Sequence, residues 1–278
     1  MYSIIELLSI GIFIGALGTL IGAGGGFILV PFLLLTDRSL TPETVTAISI
    51  AIVAANAISG SLAYVRAGRI DYKAGILFAL FTIPGSVLGV LATAYIPKAA
   101  FKIFFGLLLL LLSVLLLRKS SSDKVSKHSN VTGMHKGYRH HTITDRSGIQ
   151  FSYQYNQLTG IIISIIVGFI SPLLGIGGGI IHVPALVQLL CFPVYIATAT
   201  SHFILAIMST VSVAVHVVQG NYNDPAVLHM VIYFAAGAFA GAQLGAFIAH
   251  RIKTNFIVRA LAVCLGLVGL RLLVGYFI

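Results

Sequence analysis

The sequence predicts an all-α integral membrane protein of two homologous, inverted repeats, each a glycine-broken helical hairpin followed by three transmembrane helices. This prediction rests on the composition, on a glycine-rich motif that occurs twice, and on the distribution of basic residues. Of the 278 residues, 58% are hydrophobic and 9% are charged, whereas soluble domains have roughly 45–50% and 25%. Mean hydropathy is +1.02. So few charges cannot cover a soluble fold, so lipid must contact most of the exterior.

Apolar runs separated by short polar segments cover most of the chain. Most can cross a hydrocarbon core of roughly 30 Å, which takes about 20 helical residues. The pattern predicts a multi-pass protein of the cell membrane, with lipid as its first partner. The runs are 7–35, 44–65, 74–96, 103–117, 158–190, 196–220, 226–249 and 260–278.

A long polar segment divides the chain into a first membrane repeat (1–117), a loop (118–157) and a second membrane repeat (158–278). The loop is basic and poor in aliphatic residues, which predicts a flexible cytoplasmic segment. Its histidines are potential metal ligands, but no ligand spacing repeats, so a solvated loop is favoured over a metal site. We therefore expect neither a metal nor a cofactor. The histidines are His128, His135, His140 and His141.

The two halves open with related segments. GAGGGFILVPFLLL (22–35) and GIGGGIIHVPALVQ (175–188) are identical at eight of 14 positions, including four glycines and the proline. Weaker similarity follows at an offset of 152, where Ser49, Gly68, Gly85 and Gly89 correspond to Ser201, Gly220, Gly237 and Gly241. Internal duplication of this kind is common in secondary transporters.

Each opening segment has an awkward length for a membrane helix. Residues 4–35 would extend about 48 Å as one helix, too long for one crossing and too short for two. Three successive glycines, Gly24, Gly25 and Gly26, also make a continuous helix costly, at roughly 1 kcal/mol each relative to alanine. Two short helices that meet at a break inside the membrane, a re-entrant hairpin, satisfy both constraints.

The basic residues select the topology. If each opening segment enters and returns, 13 Lys and Arg residues lie on one side of the membrane and four on the other. This asymmetry fits the positive-inside rule and favours inverted repeats, with both termini extracytoplasmic and 118–157 in the cytoplasm. The net charge of +10 does not indicate nucleic-acid binding, because the basic residues occupy loops between apolar runs.

The glycine breaks are the candidate substrate site. Inverted repeats place both breaks near the midplane, where free N–H groups and helix N-termini suit an anion. Polar side chains within the spans are further candidates, and a histidine there can relay protons. For each feature the alternative is helix packing or helix–helix hydrogen bonding. The candidates are Gly22, Gly24, Gly25, Gly26, Ser49, Asn56, Gly175, Gly177, Gly178, Gly179, His182, Thr200, Ser201 and His202.

The paired motif G-x-G-G-G-x-x-x-V-P, at 22–31 and 175–184, resembles the sulfite exporter TauE/SafE family. The resemblance covers nearly the whole chain apart from the loop 118–157. It implies secondary transport of a small anion such as sulfite, a sulfonate or a related organosulfur compound, with protons or another ion as a possible coupling partner. A passive anion channel and an accessory membrane protein are the alternatives. No catalytic constellation is present, so an enzyme is not expected.

Overall fold

The computed structural model describes residues 3–37, 39–120, 138–248 and 254–277, which form ten helices and one β-hairpin. The first repeat contains α1 (Ile4–Ile21), α2 (Gly26–Thr36), α3 (Pro42–Ala67), α4 (Tyr72–Thr93) and α5 (Lys98–Ser120). The hairpin consists of β1 (Tyr138–Thr144) and β2 (Gln150–Asn156). The second repeat contains α6 (Gln157–Leu174), α7 (Gly179–Gln188), α8 (Val194–Val218), α9 (Pro225–Ile248) and α10 (Thr254–Phe277).

Seven helices in the described ranges are long and apolar enough to cross a membrane: α1, α3, α4, α5, α6, α8 and α9. The short helices α2 and α7 are also apolar. The prediction of a predominantly helical, multi-pass membrane protein is therefore confirmed. Each repeat contains five helices in the same order, as expected from the sequence duplication.

Each opening segment contains the predicted glycine break. Helix α1 ends at Gly22, which has a φ of +82°, and α2 follows Gly25, with a φ of +85°. In the second repeat the corresponding Gly175 and Gly178 have φ values of +68° and +33°. L-residues rarely adopt this left-handed region, so glycine is required for the chain to turn here.

The first helix of each repeat packs on the fourth helix of the other. Helix α1 lies against α9, and α6 lies against α4. Glycines let the backbones touch, as small residues do at membrane helix interfaces. The crossing points pair Gly237 with Leu8, Gly241 with Ile12, Gly85 with Gly168 and Gly89 with Leu173.

Corresponding helices also pair with each other, α3 with α8 and α5 with α10. The Ser113 hydroxyl of α5 donates to the carbonyl of Ala262 at 2.6 Å, while Gly106, earlier in α5, lies beside Gly269, later in α10. Helices α5 and α10 therefore run antiparallel. The pair α3 and α8 does the same: Gly60, late in α3, meets His202, early in α8, whereas Tyr222, just after α8, donates to the Ala47 carbonyl at 2.8 Å.

The expectation of a flexible loop is wrong for residues 138–156. They form an antiparallel hairpin with Tyr138 opposite Asn156 and Thr144 opposite Gln150. Asp145 closes the turn by accepting hydrogen bonds from the N–H groups of Ser147 and Ile149. Alternating aromatic residues of β2 give the hairpin an apolar face that packs on the helices, which offsets the cost of ordering it. His128 and His135 lie outside the described residues.

Candidate functional site

The two glycine breaks are in direct contact. Gly26 packs on the backbone of Gly175 and Ile176, and Gly179 packs on Gly22 and Ala23. A Cβ added at Gly26 would lie 2.9 Å from the Ile176 carbonyl carbon, and one at Gly179 would lie 2.9 Å from the Ala23 Cα. The structure thus packs the two predicted glycine segments on each other, and a side chain at Gly26 or Gly179 would collide with the backbone of the opposite break.

Both breaks present the N-terminus of a short helix. The N-cap residues Gly25 and Gly178 supply no side-chain capping bond. Within the described chain, the backbone N–H groups of Gly26, Phe27 and Ile180 have no acceptor. The first N–H groups of a helix lack intrahelical partners and carry the positive end of its dipole. Such a terminus is suited to a negatively charged ligand, and each of the two breaks contains one.

The predicted polar residues of α3 hold the breaks in place. The Ser49 hydroxyl donates to the Gly175 carbonyl at 2.6 Å, which joins α3 to the opposite break. The Asn56 amide donates to the Gly15 carbonyl at 2.7 Å and accepts from the Thr19 hydroxyl at 3.3 Å. All these groups are buried, so the bonds fix the position of α1 relative to α3.

The predicted polar residues of α8 differ from those of α3 in their hydrogen bonding. Thr200 accepts a hydrogen bond from the backbone N–H of Asp71 at 3.0 Å, so it faces the α3–α4 connection. Ser201 and His202 are fully buried, and in the described part of the molecule the Ser201 hydroxyl and the His202 Nε2 have no hydrogen-bond partner. A buried polar group without a partner costs about 1–3 kcal/mol, which a polar ligand can recover.

His182 lies in the first turns of α7, close to the second break. It is 3% exposed, and its Nε2 has no partner among the described residues. The Ser171 hydroxyl, which lies beside Gly178, is likewise unpaired there. The imidazole is 6.5 Å from the ring of Phe78. The second break is therefore flanked by polar groups with unused hydrogen-bonding capacity.

Sequence reasoning missed a buried carboxylate at the edge of this region. Asp71 immediately precedes α4 and is 4% exposed. Its Oδ2 accepts from the Tyr153 hydroxyl at 2.5 Å and lies 2.5 Å from the His141 Nδ1. Burial and the nearby Asp71 charge raise the pKa of Tyr153 well above its usual value. The sequence does contain a signal for the hairpin that buries Asp71. Phe151, Tyr153 and Tyr155 alternate after a Ser-Gly turn, a pattern typical of a β-hairpin.

The fold and the paired breaks define a class of protein, a multi-pass helical membrane protein of two glycine-broken repeats. The sequence profile of the family described as Sulfite exporter TauE/SafE matches residues 7–272, so the chain belongs to this family of membrane transporters.

Relatives from bacteria and archaea agree with this assignment. The chain is 32% identical to the Probable membrane transporter protein YunE of Bacillus subtilis, over 98% of this chain and 97% of that relative. It is 26% identical to a probable membrane transporter protein of Methanocaldococcus jannaschii, over 96% and 94%. It is 24% identical to one of Xylella fastidiosa, over 91% and 87%. No solved structure matches the chain.

Proposed function

We propose that this protein is a secondary transporter that exports a small anion, such as sulfite, a sulfonate or a related organosulfur compound, by alternating access. The observation that carries the proposal is the packing of each break on the other, at which the N–H groups of Gly26 and Ile180 have no acceptor in the described chain. An oxyanion bound at the paired breaks would accept hydrogen bonds from both repeats at once. The substrate would then join the two halves that must move against each other.

The inverted arrangement of the repeats belongs to this proposal. It is supported by the antiparallel pairing of α5 with α10 and of α3 with α8, because equivalent helices run antiparallel when a two-fold axis lies in the membrane plane. The re-entrant hairpin is supported by α1 and α3. Asn56 bonds to Gly15, and Tyr64, further along α3, bonds to Thr19, further along α1. These helices are parallel, so α2 returns to the side from which α1 entered.

The orientation in the plasma membrane can be tested directly. The proposed topology puts both termini outside the cell and the segment 118–157 in the cytoplasm. Reporter fusions that are active only in one compartment, placed after residue 278 and within 121–137, should report opposite sides. A cytoplasmic C-terminus would contradict the inverted repeats, whatever the substrate.

The residues around the breaks have distinct proposed roles. The break glycines supply backbone N–H groups and allow close approach of the anion. Ser201, His202 and His182 supply polar atoms that have no partner among the described residues, and His182 or His202 carries the coupled protons. Ser49 and Asn56 maintain the geometry of the breaks. Thr200 joins α8 to the segment between α3 and α4.

The function is tested by flux into liposomes that contain the purified protein. A transporter gives saturable flux that responds to a second ion gradient. A passive channel gives conductance that does not saturate, and an accessory protein gives none. The substrate is first narrowed by thermal stabilisation with sulfite, sulfonates, thiosulfate and carboxylates, since a ligand that binds only the folded state raises Tm. If carboxylates alone stabilise the protein, the sulfur-anion assignment is wrong.

A further inference from the structure

We propose that the β-hairpin 138–156 is a lid over the junction of α4, α7 and α8, and that Asp71 is the latch that holds it closed. The inference rests on the proposed transport function but concerns access to the site rather than the substrate.

The hairpin packs on the side chains that lie between it and the second break. Tyr153 and Tyr155 pack on Phe192 in the α7–α8 connection, with ring centroids 4.4 and 5.1 Å apart. They belong to the same buried cluster as Leu186 and Leu190, at the end of α7. Beneath them, Phe78 contacts both Tyr155 and His182, at 5.8 and 6.5 Å. One aromatic ring therefore separates the lid from the polar groups at the break.

Polar contacts, rather than the apolar cluster alone, position the lid. The Asp71 Oδ2 meets both strands, through His141 of β1 and Tyr153 of β2. A second attachment joins Arg69 to Asp145 in the hairpin turn at 3.1 Å. Tyr155 is a further ionisable neighbour of the latch, and its pKa is raised to about 12 by burial and by the Asp71 charge. Both attachments start from the short α3–α4 connection, so the lid is fastened along one edge.

The latch is also connected to α8. The backbone N–H of Asp71 donates to Thr200. The next two residues are Ser201 and His202, whose hydroxyl and Nε2 have no partner among the described residues. A movement of α8 at the site therefore acts on the residue that holds the lid. At the corresponding place before α9, Asp224 is exposed and caps its own helix through the N–H of Ala226. The second repeat thus supplies a matched carboxylate without a lid.

The experiment measures access to Leu186, which is fully buried under the hairpin. Leu186→Cys is placed in a chain with Cys191→Ser and Cys264→Ala, and its reaction rate with a water-soluble maleimide is measured in detergent. Asp71→Asn keeps the helix cap but removes the acceptor charge, so the rate should rise about tenfold, the factor expected for one hydrogen bond to a charged group. Tyr153→Phe, which keeps the ring, should give a smaller rise.

Asp224→Asn is the matched control and should leave the rate unchanged. Equal rates in the reference, Asp71→Asn and Tyr153→Phe would overturn the lid, and so would an equal rise in Asp224→Asn, which would indicate general loosening. If Asp71→Asn does not fold, Tyr153→Phe gives the answer alone. The labelling does not depend on flux. If the labelling increases but the protein transports nothing, the lid is supported and the proposed function is rejected. If the protein transports its substrate but the labelling is unchanged, only the lid is rejected.

Discussion

The two repeats share a backbone arrangement but differ in how their polar groups are satisfied. Ser49 of α3 donates to the Gly175 carbonyl of the opposite break, while the corresponding Ser201 of α8 has no partner in the described structure. Asn56 ties α3 to α1, and Met208 takes its place in α8, within a small apolar cluster. The first repeat thus uses Ser49 and Asn56 for bonds to backbone carbonyls. In the second repeat, His182 and Ser201 keep polar atoms without a partner among the described residues.

The comparison shows that the two repeats share their backbone contacts at glycine but differ in their polar side chains. Gly85, Gly89, Gly237 and Gly241, which recur at an offset of 152, lie against the backbone of a neighbouring helix, where a side chain would collide with it. The polar positions tolerate divergence, because a hydroxyl or imidazole can face a protein acceptor in one copy and a ligand in the other. The predictions below test whether the two copies are equivalent in packing and different in chemistry.

The largest effect is expected at the glycine crossings. Gly89→Val and Gly241→Val place side chains against the backbones of α6 and α1, so both should cost at least about 3 kcal/mol or prevent folding, because backbones cannot move aside as side chains do. Recovery of monodisperse protein and its Tm measure this. Ala240→Val, which lies exposed on α9, should change little. Tolerance of one glycine replacement but not the other would show that the pairings α4–α6 and α1–α9 are not equivalent.

Leu29 and His182 occupy corresponding positions after the two breaks, and replacing each by the other residue should affect stability differently. Leu29→His places an imidazole in a fully buried apolar site and should cost about 2–3 kcal/mol. His182→Leu removes an unpaired polar group from the corresponding position and should leave the stability unchanged or slightly higher. It should also lower transport and reduce its dependence on pH near neutrality, if the imidazole carries protons. Wild-type transport in a stable His182→Leu protein would assign His182 to packing.

The two serines provide a finer test of the same asymmetry. Ser49→Ala leaves the Gly175 carbonyl without its donor and should cost about 1–2 kcal/mol. Ser201→Ala should leave the Tm of the ligand-free protein almost unchanged but weaken anion binding by about tenfold. Ser209→Ala, which removes a hydroxyl bonded within its own helix, is the control for both. Equal losses of stability for Ser49→Ala and Ser201→Ala would remove the distinction between the repeats.

The smallest effect concerns pH at the hairpin turn. Burial opposes ionisation of Asp145, but hydrogen bonds from the Ile149 N–H and from Arg69 outweigh it, so its pKa is lowered from the ordinary 3.8. A lowered folded-state pKa stabilises the turn above this value, and the contribution is lost as the pH falls below it. Hydrogen-exchange protection of Ser147 and Ile149 should then decrease below about pH 3.8. Arg69→Gln should move the decrease to higher pH, whereas identical profiles would exclude a role for Arg69.

Much of the fold followed from local pattern. Continuous apolar runs predicted the membrane helices, and the glycine triplets predicted where two of them break, because glycine is the residue that adopts left-handed φ without strain. The hairpin was missed because the basic, histidine-containing segment was treated as one polar loop. The alternation of Phe151, Tyr153 and Tyr155 is a strand signal, but its apolar face is buried only against residues far away in sequence.

The sequence by itself determined that lipid surrounds the protein, that the chain contains two related halves, and where the helices break. These features depend on composition and on the backbone preferences of nearby residues. Tertiary structure decided which candidate polar residues are already engaged. Ser49, Asn56 and Thr200 bind protein atoms, whereas Ser201, His202 and His182 each have a polar atom without a partner in the described ranges. It also decided that Asp71 is buried under a hairpin more than 60 residues later in the chain. A hydrogen bond depends on the distance and direction between two groups, and no local pattern specifies these for residues that meet only when the helices pack.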